Sequence, residues 1–233
     1  QVLFAKVDFL LSETQNASFR FNYSNSDQEN GLGFYPDSTL GIQGKEEEST
    51  TSTVGSLTSF LSDNMINELR VQYATNTIDR VNNGQGPEVR VSNLGYLGST
   101  WYLPIEIDIW RFQATDNFNW LVGNHDLKFG FDWNRTNTKE IFIGFSRGQV
   151  RFNSIDYFFA GDVNYALQKV PLGGLSMEES GTFECEADEI AFYAQDKWQP
   201  NDRLTIDLGL RWEGTYNPDP PTTNPLYPDT GQL

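Results

Sequence analysis

Apolar and polar residues alternate along several stretches of this chain. In Leu204–Glu213, leucine, isoleucine and tryptophan alternate with threonine, aspartate, glycine, arginine and glutamate. A period of two places the apolar side chains on one face of a β-strand. Pairs of such stretches, each joined by a short turn, predict four hairpins: Leu3–Leu11 with Ala17–Asn25, Ser49–Leu61 with Ile66–Thr75, Ile107–Trp120 with Asp126–Arg135, and Glu189–Trp198 with Leu204–Glu213.

The connections between the predicted strands are short at one end and long at the other. The short turns are Glu13–Asn16, Ser62–Asn64, Val122–His125 and Pro200–Asp202. The long loops are Ser26–Glu48, Asn76–Glu106 and Thr136–Asp188. This asymmetry is typical of bacterial outer-membrane barrels, whose short turns face the periplasm and whose long loops face outward. The sequence predicts an all-β fold, a partial antiparallel up-and-down transmembrane β-barrel of about eight strands.

Strand length and aromatic placement support the same prediction. A tilted strand needs about 9–11 residues to cross the hydrocarbon layer, whereas soluble strands average about 5–6. Aromatic residues stand near the predicted strand ends, where the membrane interfaces would lie: Tyr23, Trp120, Trp133, Trp198 and Trp212. The core of a soluble β-sandwich would show the same alternation on any one strand, but four hairpins with one short rim favour the barrel.

The polar face of the predicted strands carries charges of both signs. These side chains are the candidates for lining the barrel lumen, and we expect most of them to form ion pairs and hydrogen bonds within the wall. They are Lys6, Asp8, Arg20, Lys128, Asp132, Asp207, Arg211 and Glu213.

Composition excludes several other classes of protein. A net charge of −16 argues against nucleic-acid binding. The single cysteine, Cys185, cannot form an intrachain disulfide. No apolar run is long enough for a transmembrane helix, and no signal peptide is visible. The chain starts within a predicted strand and ends in the proline-rich stretch Asn217–Asp229, so we expect an internal fragment of a longer protein.

No catalytic, cofactor or metal site is predicted. The only histidine, His125, lies in a predicted turn, and no zinc, nucleophile or nucleotide motif is present. The acids Glu178, Glu179, Glu184, Glu186, Asp188 and Glu189 match no calcium-loop spacing. A solvated acidic loop is the favoured interpretation of this group and of Glu46–Glu48, although acidic outer loops can also bridge to lipopolysaccharide through divalent cations.

The third long loop carries two local predictions. Ile141–Phe145 and Gln149–Phe152 have the pattern of a small hairpin. Ser154 and Gly161 are suited to start and stop one or two helical turns between them.

Several segments resemble TonB-dependent outer-membrane receptors. Gly123–Asp132 resembles their "GxHxLKFGxD" hairpin and Asp116–Trp120 their "DNxxW" strand end. Tyr193–Trp198 with Arg203–Glu213 is similar to "YxQDxW…RLTLNLGLRYE", although Asp207 and Lys197 depart from the usual residues. Phe152–Gly161 looks like the "F…S…DFLLG" stretch of the Oar-like branch.

The resemblance implies the architecture and partners of that family. It implies a barrel of about 22 strands, filled by an N-terminal plug and energised by TonB–ExbB–ExbD, in the outer membrane of a Gram-negative bacterium. Residues 1–233 would be part of one barrel domain, and the plug is absent from them. The implied partners are outer-membrane lipid and lipopolysaccharide, TonB–ExbB–ExbD through the missing plug, and an extracellular siderophore, glycan or peptide.

Two alternatives stay open at the level of sequence. A soluble all-β module could bind carbohydrate or surfaces by stacking sugars on exposed Tyr35, Trp101 and Tyr102. A porin-like channel or adhesin would use the same barrel without a plug.

Overall fold

The computed structural model describes residues 1–32, 38–171 and 173–217. It contains twelve strands and two short helices in these ranges. The strands are β1 Val2–Ser12, β2 Gln15–Glu29, β3 Gly44–Ser62, β4 Met65–Asn82, β5 Glu88–Val91, β6 Gly95–Gly98, β7 Ile105–Val122, β8 His125–Phe142, β9 Gln149–Phe152, β10 Tyr165–Leu167, β11 Thr182–Asn201 and β12 Leu204–Tyr216. The helices are α1 Ile155–Ala160 and α2 Met177–Gly181.

The eight long strands form one antiparallel sheet in the order β1-β2-β3-β4-β7-β8-β11-β12. All four predicted hairpins are confirmed, and so is the fold class. We call this sheet the wall. Its edge strands β1 and β12 each pair on one side only among the described residues.

The short turns lie where the sequence predicts them, and each has two residues between strand ends. In the β7–β8 turn, Gly123 has a φ of +59°, a conformation that side chains rarely adopt. Pro200 falls inside β11, where the pairing with β12 shifts between Trp198 and Asn201. A proline is tolerated there because a bulge leaves its position without a ladder hydrogen bond.

The strands run further toward the loops than predicted. Glu46–Glu48 lie within β3 rather than in a loop, and residues 182–188 lie within β11. Backbone pairing with β2 and β4, and the ion pair of Glu46 with Arg80, keep Glu46–Glu48 extended, while residues 182–187 pair with β8. The connecting segments are therefore shorter than expected and span residues 30–43, 83–104 and 143–181.

The second and third of these segments form a second, four-stranded sheet at the loop ends of the wall strands, in the order β10-β9-β5-β6. The predicted hairpin of Ile141–Phe145 with Gln149–Phe152 is wrong, because β9 pairs in parallel with β5 and antiparallel with β10. The predicted helix is confirmed as α1. The Ser154 side chain accepts a hydrogen bond from the Tyr157 amide, and Gly161 ends the helix with a φ of +71°.

The two sheets differ in how far their apolar side chains are buried. The wall is a single layer, and its apolar side chains are largely exposed, as with Leu210 at 78%. The fully buried apolar residues lie around the loop segments and include Ile42, Val91 and Leu103. Among the described residues no helix has the length and apolar character to cross a membrane. Tyr35, which the soluble alternative predicts to stack on sugars, lies outside the described residues, as do residues 218–233.

Candidate functional site

The wall has a polar face and an apolar face. The strand register places Lys6 opposite Arg20 and Lys197 opposite Asp207, and alternation fixes the faces of the residues between. The register of neighbouring strands shows that all eight lumen candidates lie on the polar face: Lys6, Asp8, Arg20, Lys128, Asp132, Asp207, Arg211 and Glu213.

Five of these candidates form ion pairs or hydrogen bonds with one another or with neighbouring side chains. Lys6 pairs with Asp8 at 2.9 Å, and Arg211 pairs with Glu213 at 2.9 Å. Asp132 accepts hydrogen bonds from Gln113 and Thr115 across the β7–β8 pair, at 2.9 and 2.6 Å. Within residues 1–32, 38–171 and 173–217, the other three make no ion pair: Arg20, Lys128 and Asp207.

A tyrosine spans three strands on the polar face. Tyr193 of β11, Gly130 of β8 and Asn117 of β7 share one cross-strand row. The Tyr193 ring crosses Gly130 so closely that a β-carbon there would lie 1.9 Å from the ring, and the Tyr193 hydroxyl bonds to Asn117 at 2.7 Å. The contact therefore requires a glycine in the middle strand. Sequence reasoning missed it, although each residue belongs to one of the three receptor-like motifs.

The apolar face has the dimensions of a membrane-spanning band. Trp110 and Trp120 both lie on this face of β7, ten residues apart. At about 3.3 Å per residue and a tilt of about 40°, they are about 25 Å apart along the barrel axis, the height of the apolar band in outer-membrane barrels. Tyr23 shares the cross-strand row of Trp110. The remaining predicted aromatic residues also face this side: Trp133, Trp198 and Trp212.

Two carboxylates on the apolar face have local partners. Asp116 accepts a hydrogen bond from Asn67 at 2.8 Å. Asp196 lies 2.8 Å from His125 Nδ1, and the His125 ring stacks on Trp198 with 5.6 Å between ring centres. Polar groups facing lipid are costly unless they are paired, so these partners reduce the cost of placing them there. His125, predicted as a turn residue, is the first residue of β8 and part of the aromatic belt near the turns.

Beyond the outer aromatic row, the same face becomes acidic. Asp27, Glu47, Asp79 and Glu106 lie directly opposite one another on β2, β3, β4 and β7. Lys45 forms a hydrogen bond and ion pair with Glu47, and this raises the pKa of Lys45. The described part of the chain has no group of three or more histidine, cysteine or acidic side chains that could hold a metal ion.

The loop segments interlock into one unit around a buried carboxylate. We call this unit, residues 38–43, 83–104 and 143–171, the loop cap. Glu88 is 0% exposed. One of its oxygens accepts from the Trp101 amide at 3.1 Å and the Thr100 hydroxyl at 3.5 Å, and the other from Gln149 at 2.6 Å. Glu88 thus joins the second long loop to the third.

Trp101 and Tyr102 do not have the exposed rings that the soluble sugar-binding alternative predicts. Tyr102 is only 9% exposed, and Trp101 stacks on Phe145 with 4.3 Å between ring centres. Neither offers the free aromatic surface that the soluble sugar-binding alternative requires. Packing inside the cap is also close at the backbone, since a β-carbon on Gly84 would lie 2.1 Å from the Gly98 carbonyl oxygen.

Comparison with a family model gives a match over nearly the whole chain. Residues 2–227 match the model described as the outer membrane beta barrel domain. None of the curated proteins matches this chain in sequence.

Solved structures share the fold at low sequence identity. The outer membrane transporter YddB from Escherichia coli has a TM-score of 0.62 at 10% identity, over 91% of this chain and 26% of its own. FpvA from P. aeruginosa, bound to heterologous pyoverdines, has 0.62 at 11%, over 94% and 31%. The ferric-catecholate import receptor Fiu from E. coli has 0.60 at 13%, over 92% and 36%. The chain therefore spans roughly a third or less of these structures' length, and the likeness shows the fold.

Proposed function

Since this chain belongs to the outer membrane β-barrel domain family, we propose that it is part of the wall and ligand-capturing surface of a TonB-dependent transporter. The chain is an outer-membrane protein of a Gram-negative bacterium. The observation that carries the proposal is the combination of an exposed apolar band of about 25 Å with a charged opposite face. Solved proteins that share the fold include a transporter and an import receptor.

The two edges of the wall support its continuation into a larger barrel. In hydrocarbon, unpaired backbone groups along β1 and β12 would each cost several kcal/mol. Further strands of the same domain would satisfy them, and the solved neighbours have the length to supply such strands. Residues 1–233 are thus proposed as one part of a single barrel domain whose lumen is filled by a plug elsewhere in the protein.

The loop cap and the polar face of the wall would serve different steps of transport. The cap meets the ligand outside the cell, and the polar face lines the path that opens when TonB–ExbB–ExbD pulls the plug. Arg20, Lys128 and Asp207, which lack ion pairs among the described residues, are the candidates for contacts with plug or ligand. FpvA binds pyoverdines and Fiu imports ferric catecholates, so a siderophore is one ligand class, beside glycans and peptides.

No catalytic role is proposed for this chain. The neighbours with known roles are a transporter and receptors, and the paired polar groups of the wall serve structure. Lipid and lipopolysaccharide are the proposed partners of the apolar band and of the acidic row above it.

Dependence on TonB is tested with the full-length protein in its own outer membrane. Ligand uptake is compared between cells with and without TonB, and ligand binding to the cell surface is measured in both. We expect uptake to require TonB and binding to persist without it. Uptake that continues unchanged without TonB would instead identify a plugless porin-like channel.

A further inference from the structure

Two arginines lie side by side in the small sheet of the loop cap. Arg90 of β5 is in parallel register with Arg151 of β9. Tyr96 of β6 is opposite Arg90, and Tyr165 of β10 is opposite Arg151. Because residues in cross-strand register share a face of a sheet, the four side chains form one row, Tyr165–Arg151–Arg90–Tyr96. Neighbouring strands are about 4.8 Å apart, so the two arginine side chains start from backbone positions that lie close together.

The two arginines have no acidic partner within residues 1–32, 38–171 and 173–217. The Nε of Arg151 is buried without a hydrogen-bond partner, and the Arg90 guanidinium lies over the Tyr96 ring, 5.2 Å from its centre. Like charges on directly neighbouring positions destabilise a sheet. In a chain with a net charge of −16, this pair stands out.

The nearby carboxylate does not neutralise the row. Glu88 lies two residues before Arg90 and on the same face, yet its oxygens are occupied by Trp101, Thr100 and Gln149. Gln149 in turn accepts a hydrogen bond from the Tyr165 hydroxyl at 2.7 Å. This network fixes the end of the row, and none of its described members takes up the guanidinium groups of Arg90 and Arg151.

We infer that the Arg90–Arg151 pair binds an oxyanion, a carboxylate or a phosphate, of the extracellular ligand. Guanidinium groups donate paired hydrogen bonds in a fork that matches both kinds of anion. Both arginine side chains are half-buried rather than buried, so part of each stays accessible to a solvent-borne anion. The inference rests on the proposed function only in placing the ligand outside the cell.

The test measures anion binding to the purified full-length receptor in detergent, without TonB. Citrate and inorganic pyrophosphate are titrated separately by calorimetry, which distinguishes a carboxylate from a phosphate site. We expect saturable binding of at least one of them. Arg90→Gln and Arg151→Gln should each weaken it about tenfold or more, the usual consequence of losing a charge-assisted pair of hydrogen bonds.

Lys169→Gln is the matched control, since it removes the same charge from the third loop outside the row. It should change the affinity by no more than about twofold, as expected for a half-buried charge that forms no ion pair among the described residues. Near-ultraviolet circular dichroism from the stacked Trp101 and Phe145 checks that each variant keeps its cap. Absence of binding of both anions, or an equal loss in Lys169→Gln, would overturn the inference.

The two proposals fail separately in these experiments. Anion binding that survives while uptake proves independent of TonB would remove only the transport mechanism. TonB-dependent uptake that is unaffected in Arg90→Gln and Arg151→Gln, with no anion bound, would remove only the arginine site.

Discussion

The wall and the loop cap are stabilised in opposite ways. The wall is one layer whose long strands pair with their neighbours, and its side chains form an exposed apolar face on one side and a polar face on the other. The cap is a small body with its own core, in which the apolar residues Ile42, Val91 and Leu103 are buried and the carboxylate Glu88 is buried as well. A barrel needs surroundings to cover its apolar face, whereas the cap covers its own. Changes in the two regions should therefore have different consequences.

The largest effect is expected in the cap, from Glu88→Ala. This change leaves donors on Trp101, Thr100 and Gln149 without their acceptor. Because each unsatisfied buried group costs about 1–3 kcal/mol, we expect a loss of about 3–5 kcal/mol from cap stability. Limited proteolysis of the purified protein should then cleave residues 83–104 and 143–171 while the wall stays intact. Glu178→Ala, which removes an exposed acid in α2, is the control and should leave the pattern unchanged.

The next effect is expected on the apolar face of the wall. Leu210→Arg places a charge on the exposed apolar face, where arginine costs up to about 2–4 kcal/mol at the bilayer midplane and less toward the interfaces. Gln195→Arg on the neighbouring strand puts the same charge on the polar face and should cost little. Unfolding of the full-length protein from vesicles by denaturant measures both variants. Equal destabilisation by the two would contradict the assignment of the faces.

A smaller effect is expected from the tyrosine that spans three strands. Gly130→Ala forces the Tyr193 ring away and breaks its bond to Asn117, at a cost of about 1–2 kcal/mol. The double variant Gly130→Ala with Tyr193→Ala removes the clash. Its stability should be close to that of Tyr193→Ala alone, so the two effects should not add. Additive losses in this double-mutant cycle would show that the ring and the glycine are independent.

The smallest effect is a pH dependence at α2. The Glu179 carboxylate accepts a hydrogen bond from the Ser176 amide, and this lowers the pKa of the Glu179 carboxyl. A lowered pKa in the folded state means that the stabilisation is present above the usual carboxyl range and is lost as pH falls through the lowered value. Amide exchange in α2, corrected for the intrinsic rate, should rise as pH falls below about 4. Glu179→Ala should remove that pH dependence, and an unchanged profile in this variant would refute it.

The wall could be predicted from sequence because its pairing is local and its periodicity is simple. Alternation in Leu204–Glu213 and the turn at Gly123 fix strand and register within one hairpin. The ends of the strands could not be predicted, because Glu46–Glu48 resemble a loop until partners on two neighbouring strands are known.

The cap could not be predicted because its contacts join distant segments. Short apolar stretches such as Gln149–Phe152 do not reveal whether the partner is an adjacent hairpin strand or β5 in another loop. The arginine row could not be predicted either, because it forms only when four short strands from two loops are aligned. Tyr193 and Asn117 were visible as motif residues, but their contact depends on the register of three strands.

The parallel pairing of β5 with β9 has a consequence for the order of assembly. Wall hairpins close over two-residue turns, so each can form early and with little loss of chain entropy. Glu88 and Gln149, by contrast, meet only after β7 and β8 have been laid down between them. Contacts of high sequence separation form late. A closed cap can therefore form only after the strands of the wall are aligned, and the surface proposed to meet the ligand is completed last.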